Sequence, residues 1–262
     1  MILTAKFSGK QADYLKFGSG AKPFVIIPGL SLPDVLRSAD AIESAYSVFS
    51  EDYTVYLFDR IKNPPEGYTL SEMAEDTAAS IKAAGIENAC VFGTSQGGMI
   101  ALLIAARHPG LVSKLVTGST AAKSDEKITS VIGTWVTLAE EKNIPALAEH
   151  TAEYVFSPDT LKTAKEMIVS FSSDVSDDEV STFAVLARAC LDFDFSAELE
   201  NIACPSLIIG CEGDRIMPPD ASSYIANHIN GAQLFMYGAE YGHAVYDETP
   251  EYKKRLLEFF GR

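Results

Sequence analysis

Apolar positions along the chain follow two different periods. Short runs rich in Val, Ile, Leu, Phe and Tyr occupy residues 3–7, 14–17, 24–27, 53–58, 89–92, 114–117, 206–209 and 233–237, and each reads as a strand. Several of them, such as Phe24-Val25-Ile26-Ile27 and Leu207-Ile208-Ile209, show no polar alternation. A strand with that pattern is buried on both faces, as in a parallel sheet. The first two runs read as an antiparallel lead-in. The others alternate with segments of helical period, which implies right-handed βαβ units and an α/β fold. Thr69 and Glu72 have capping-box spacing for one such helix.

From about 120 to 201 the strand signals stop. Ile128, Val131, Ile132, Trp135 and Leu138 recur at helical spacing, and Ser157-Pro158 opens a helix with Leu161, Ala164, Ile168 and Phe171 on one face. Ser176 and Glu179 form a second capping box ahead of Val180, Phe183, Ala184, Ala187 and Leu191. The pattern predicts roughly four helices inserted between two core strands. Residues 1–119 and 202–262 then form the core, and 120–201 a helical cap. A cap of this kind excludes water and shapes a pocket, for which Trp135, Phe156 and Met217 are candidate lining residues.

The segment Val91-Phe92-Gly93-Thr94-Ser95-Gln96-Gly97-Gly98 carries chemistry. A buried strand runs into Gly-x-Ser-x-Gly and then into an apolar, alanine-rich helix that Pro109-Gly110 ends. That order describes a nucleophile elbow, a tight strand-to-helix turn that lifts a serine hydroxyl above a sheet. Five positions with three fixed arise by chance, so the downstream residues decide the matter.

Asp214 falls on the loop after the strand at 206–209, and His243 on the loop after the strand at 233–237. Ser95, Asp214 and His243 thus each follow a strand, and in an open parallel sheet such loops share one rim. The residue types match the need. A serine hydroxyl requires a neighbouring base to become a nucleophile at neutral pH. Imidazole titrates near neutrality, and a carboxylate orients it and stabilises its charged form. The other histidines, His108, His150 and His228, fall at a helix end or within predicted helices.

With these residues in place, the chain resembles the α/β-hydrolase superfamily over nearly its whole length. The Ser, Asp, His order fits, as do Phe58-Asp59-Arg60 after a strand, Gly85-Ile86-Glu87-Asn88-Ala89 before the elbow strand, and Gly242-His243 followed by Glu248-Thr249-Pro250. The nearest tone is that of small capped esterases, enol-lactonases and carbon–carbon bond hydrolases. The resemblance implies an α/β-hydrolase fold, with a mostly parallel central sheet flanked by helices and an inserted helical cap. It implies catalysis by Ser95, His243 and Asp214, with the backbone amides of Leu30 and Gln96 as an oxyanion hole. Two features depart from the family pattern. Pro28-Gly29 stands where His-Gly is usual, and Ile61-Lys62-Asn63-Pro64-Pro65-Glu66 replaces a glycine-rich loop. A serine nucleophile also sets the chain apart from haloalkane dehalogenases and epoxide hydrolases, which attack with a carboxylate.

The expected activity is hydrolysis of a small ester, thioester or lactone through an acyl-enzyme. Acyl transfer and carbon–carbon bond hydrolysis use the same residues, and a non-catalytic small-molecule binding protein is the alternative of another class. The net charge is −15, from 21 basic and 36 acidic residues. It disfavours nucleic acid and anionic lipid surfaces as partners. Four scattered cysteines without a Cys-x-x-Cys pair, and no signal-peptide pattern, fit a reduced, cytoplasmic protein. No metal or cofactor is expected, the partner being a small acyl substrate, and oligomeric state is open.

Overall fold

A computed structural model describes residues 1–261. Eight strands form one sheet: β1 (Ile2–Phe7), β2 (Lys10–Phe17), β3 (Lys22–Ile27), β4 (Tyr53–Ile61), β5 (Ala89–Thr94), β6 (Val112–Gly118), β7 (Ser206–Cys211) and β8 (Gln233–Tyr237). Their order is β1-β2-β4-β3-β5-β6-β7-β8. β2 pairs antiparallel with both β1 and β4, and every later pair is parallel. The chain reverses its direction of travel across the sheet at β3, which has β4 on one side and β5 on the other. A crevice opens at the carboxyl ends of the strands at such a switch point.

The helices are α1 (Ala39–Ala45), α2 (Leu70–Ala83), α3 (Gln96–Arg107), α4 (Glu126–Glu140), α5 (Ile144–Val155), α6 (Pro158–Ser173), α7 (Asp177–Arg188), α8 (Pro219–His228), α9 (Val245–Glu248) and α10 (Pro250–Gly261). They cover both sheet faces. α2 and α3 pack one side with Val25, Val91 and Leu115, while α10 packs the other with Phe24, Phe92 and Val116. Every residue of β5 and of β7 is buried, which explains their unbroken apolar runs. Each large side chain buried this way contributes roughly 1.5–3 kcal/mol relative to exposure. Both capping boxes form, Thr69 with Glu72 and Ser176 with Glu179.

α4 to α7 lie between β6 and β7. α4, α5 and α7 each bury an apolar stripe, but α6 has no fully buried residue, and Phe171 on it is 44% exposed. The apolar face read at 161–171 is thus only partly covered. Two strands outrun their apolar patterns. β2 starts at Lys10 and β4 continues through Asp59 and Arg60 to Ile61, because backbone pairing between Ala12 and Ile61 extends the ladder past a bulge. α1 buries no side chain and so carries no apolar stripe by which a sequence would betray it. No helix among the described residues is long and apolar enough to cross a membrane.

Candidate active site

β5 ends at Thr94 and α3 begins at Gln96, so Ser95 alone makes the turn. Its φ is 52° and ψ −126°, a conformation that costs a non-glycine residue free energy. The surroundings hold it there. Ser95 N donates to Gly118 O at 2.9 Å, and Ser95 O accepts from Gly98 N at 2.9 Å and from Thr120 Oγ1 at 2.7 Å. Glycine at 97 is a steric requirement, since a Cβ there would stand 2.1 Å from the Ile27 carbonyl oxygen. Gly29 packs directly on the elbow, where a Cβ would lie 3.1 Å from Ser95 Cβ. The loop after β3 therefore borders the serine.

His243 and Asp214 meet in the protein interior, each 4% exposed. His243 Nδ1 lies 2.8 Å from Asp214 Oδ2. The other carboxylate oxygen, Oδ1, accepts from the backbone N–H of Ile216 at 2.8 Å and of Met217 at 2.9 Å. Asp214 is an acceptor on both oxygens, so a proton on Nδ1 completes the set and leaves Nε2 as the basic nitrogen. Lys127 of α4 donates to the Asp214 carbonyl at 2.8 Å and ties this loop to the inserted helices.

Ser119 and Thr120, directly after β6, were not singled out from sequence. Ser119 Oγ donates to the His243 carbonyl at 2.8 Å, while Thr120 holds the Ser95 carbonyl as above. Two adjacent residues thus anchor the serine and histidine segments side by side. The only sequence signal is a polar pair where a buried strand meets the rim.

The backbone N–H of Gln96, first in α3, has no intrahelical acceptor. The Gln96 side chain is 1% exposed. Its Nε2 donates to the Leu186 carbonyl of α7 at 2.7 Å, and its Oε1 accepts from Arg60 Nη2 at 3.3 Å. The same Arg60 nitrogen donates to the Pro28 carbonyl at 2.7 Å. Arg60 therefore spans the loop after β3 and the start of α3, in a chain that has Pro28 where its resemblance expects histidine. Arg60 Nε and Nη1 are buried and have no hydrogen-bond partner among the described residues. Burial pushes the Arg60 guanidinium below its ordinary value and raises the neighbouring Asp59 to about 6.

A chamber of about 540 Å³ opens against Gly29 and Leu30. Tyr46 and Phe92 line it from the sheet side, and Val155, Phe156 and Ile168 from the inserted helices. Of the three side chains proposed for a pocket, Phe156 lies here. Trp135 sits instead in the apolar core of the insertion, 4% exposed against Phe183, with its indole N–H on His150 at 2.9 Å. Met217 is 2% exposed and does not line this chamber; its backbone N–H donates to Asp214. Among the described residues, no three His, Cys, Asp or Glu side chains gather as a metal-holding group.

A family model described as alpha/beta hydrolase fold matches residues 22–250. The chain is 30% identical over 211 residues to the AB hydrolase superfamily protein YisY of Bacillus subtilis, covering 75% of each. It is 26% identical over 213 residues to a provisionally assigned carbamate hydrolase, RutD, of Stutzerimonas stutzeri, covering 77% of this chain and 79% of that one. Among solved structures, MGS-M2, an alpha/beta hydrolase enzyme from a Medee basin deep-sea metagenome library, superposes with a TM-score of 0.88 at 25% identity, over 99% of this chain and 98% of that one. The enol-lactonase of Burkholderia xenovorans LB400 shares the fold, with a TM-score of 0.84 at 20% identity, over 99% of this chain and all of its own, 100%. The eight-stranded, mostly parallel sheet and the match across 22–250 together place this chain in the alpha/beta hydrolase family.

Proposed function

We propose that this hydrolase-family enzyme is a serine hydrolase acting on a small ester, thioester or lactone with an apolar acyl or ring portion. The observation that carries the reading is the buried His243–Asp214 pair at 2.8 Å, anchored by Ser119–Thr120 to the same rim as Ser95. In this reading Ser95 Oγ attacks the substrate carbonyl and its proton passes to His243 Nε2. The carbonyl oxygen, now negative, is held by the Gln96 and Leu30 amides. The tetrahedral species collapses, and His243 returns the proton to the departing alcohol or thiol. Water then attacks the Ser95 acyl ester by the same steps and releases the acid. General-base assistance contributes about 10²–10⁴ in rate. Each oxyanion donor adds about 10²–10³.

The chamber bordered by Gly29 and Leu30 supports an apolar group beside the carbonyl. A carbamate is attacked by the same chemistry, and the RutD likeness favours it as a second reading. The lining at Tyr46, Phe92, Val155, Phe156 and Ile168 suits a hydrocarbon portion better than a small polar carbamate, so esters and lactones come first. The test is labelling with a fluorophosphonate probe, followed by mass-spectrometric mapping. Modification at Ser95 that disappears in His243→Ala supports the reading. Folded protein that resists the probe points to a binding role.

A further inference from the structure

The turn between α5 and α6 is seated on the loop that carries His243. Three consecutive residues, the last of α5 and the two after it, make the contact. The Val155 carbonyl accepts from Ala244 N at 2.9 Å. The Phe156 carbonyl accepts from Arg215 Nη2 at 3.3 Å, beside Asp214. The Ser157 N–H donates to Glu248 Oε1 at 2.6 Å. The second oxygen of the same carboxylate, Oε2, accepts from Gly242 N at 2.7 Å. Gly242 is pressed so closely on this turn that a Cβ would stand 2.7 Å from Ser157 N.

Glu248 therefore accepts from two backbone donors on opposite sides of one seam. Hydrogen bonds to an ionised carboxylate are about twice as strong as neutral ones. Gly242 directly precedes His243 and Ala244 directly follows it, so both chain neighbours of the histidine are tied to the inserted helices, Ala244 directly and Gly242 through Glu248. We infer that Glu248 is a positioning residue: it clasps the α5–α6 turn to the His243 loop, so that seating of the cap and alignment of the imidazole are one event. This rests on the hydrolase reading above, in which His243 is the base. The physical stake is alignment, because a misplacement of about 1 Å in a catalytic group costs on the order of 10² in rate.

Glu248→Gln tests the clasp in the full chain. Glutamine keeps the size but only one acceptor oxygen, and its NH₂ would face an N–H. Amide exchange of peptides covering 155–160 and 241–246 is expected to quicken about tenfold or more. Phosphonylation of Ser95 and kcat on p-nitrophenyl butyrate are expected to fall together by about tenfold, with KM within about twofold. Wild-type exchange at either peptide overturns the clasp. A rise in KM with kcat unchanged overturns the positioning role, since it would leave only a wall of the pocket.

A second comparison holds if the glutamine variant does not fold. Ser157 has φ −66° and ψ 156°, which suits proline, so Ser157→Pro keeps the backbone angles, deletes the donor and places a ring carbon where the Glu248 carboxylate now sits. Ser157→Ala loses only the α6 cap. The proline variant is expected to fall below the alanine variant in kcat by about tenfold, and equal values overturn the proposal. A wild type with neither labelling nor turnover removes the hydrolase reading, and the exchange data alone then decide whether the clasp exists.

Discussion

Ser119 Oγ donates a 2.8 Å hydrogen bond to the carbonyl oxygen of His243, inside the protein. The next residue, Thr120, does the same for Ser95 at 2.7 Å. The two residues after β6 thereby hold the Ser95 and His243 segments, 148 residues apart in sequence (243 minus 95), at a fixed spacing. Ser119→Ala leaves a buried carbonyl short of a donor, which costs about 1–3 kcal/mol. Urea unfolding measures that loss. On an ester substrate, kcat is expected to fall roughly three- to tenfold while KM stays near wild type. An unchanged kcat would separate the Ser119 contact from the chemistry.

Ser95 holds φ 52° and ψ −126° at the elbow. That strain persists in Ser95→Ala, because alanine keeps its Cβ. It is relieved in Ser95→Gly. The glycine variant is expected to be about 1 kcal/mol more stable than the alanine variant, even though glycine gains unfolded-chain entropy. Both are expected to lose fluorophosphonate labelling and turnover. Denaturant midpoints of the two variants compare the backbone cost directly, and an alanine variant at least as stable as the glycine one would mean that the turn is unstrained.

Asp59 ionises at about 6 in the folded chain, raised chiefly by burial and lowered in part by Arg60. Unfolded, it would ionise near 3.8. Between those values the folded state binds more protons than the unfolded state, so this carboxyl lowers stability as pH rises through 4 to 6, and the loss persists above. Asp59→Asn keeps an oxygen for the Arg60 N–H, which Asp59 Oδ1 now accepts at 2.8 Å. The variant is expected to match wild type near pH 4 and to exceed it at pH 8 by about 1–2 kcal/mol, a figure reduced for partial exposure of the carboxyl. Urea melts of both proteins at the two pH values give the difference, and a constant gap across pH would show an Asp59 that titrates normally.

The readable parts of the chain were those in which a local steric or burial demand shapes composition. Gly93 and Gly97 are needed where strand and helix touch, so the elbow shows in sequence. Asp214 and His243 follow unbroken apolar runs, so their loops could be assigned to one rim. The supports around them depend on contacts between distant segments. Ser119 reaches His243, Lys127 reaches Asp214, and Gln96 reaches Leu186. None of these pairs leaves a spacing rule behind. Trp135 shows the reverse error: its helical period marks a buried stripe equally well whether that stripe meets a ligand or another helix, and Phe183 and His150 occupy its surroundings. Glu248 is visible as part of a pattern, but one of its two acceptor bonds comes from Ser157, 91 residues earlier.

Ile168 faces the chamber from α6, the one inserted helix without a fully buried residue. A helix so placed leaves apolar surface for a ligand to cover, and its side chains can change with little loss of core. Ile168→Trp narrows a space of about 540 Å³ without touching Ser95, Asp214 or His243. Each buried methylene contributes about 0.8 kcal/mol, so excluding even two of them lowers relative specificity by roughly tenfold or more. A series of p-nitrophenyl esters from acetyl to decanoyl reads this directly. Wild type is expected to prefer medium chains. The variant is expected to lose kcat/KM on octanoate by about tenfold relative to acetate, with little change in melting temperature. A chain-length profile identical to wild type would place the acyl group outside this chamber and return the cavity between Tyr46 and Ile168 to the alcohol portion of the substrate.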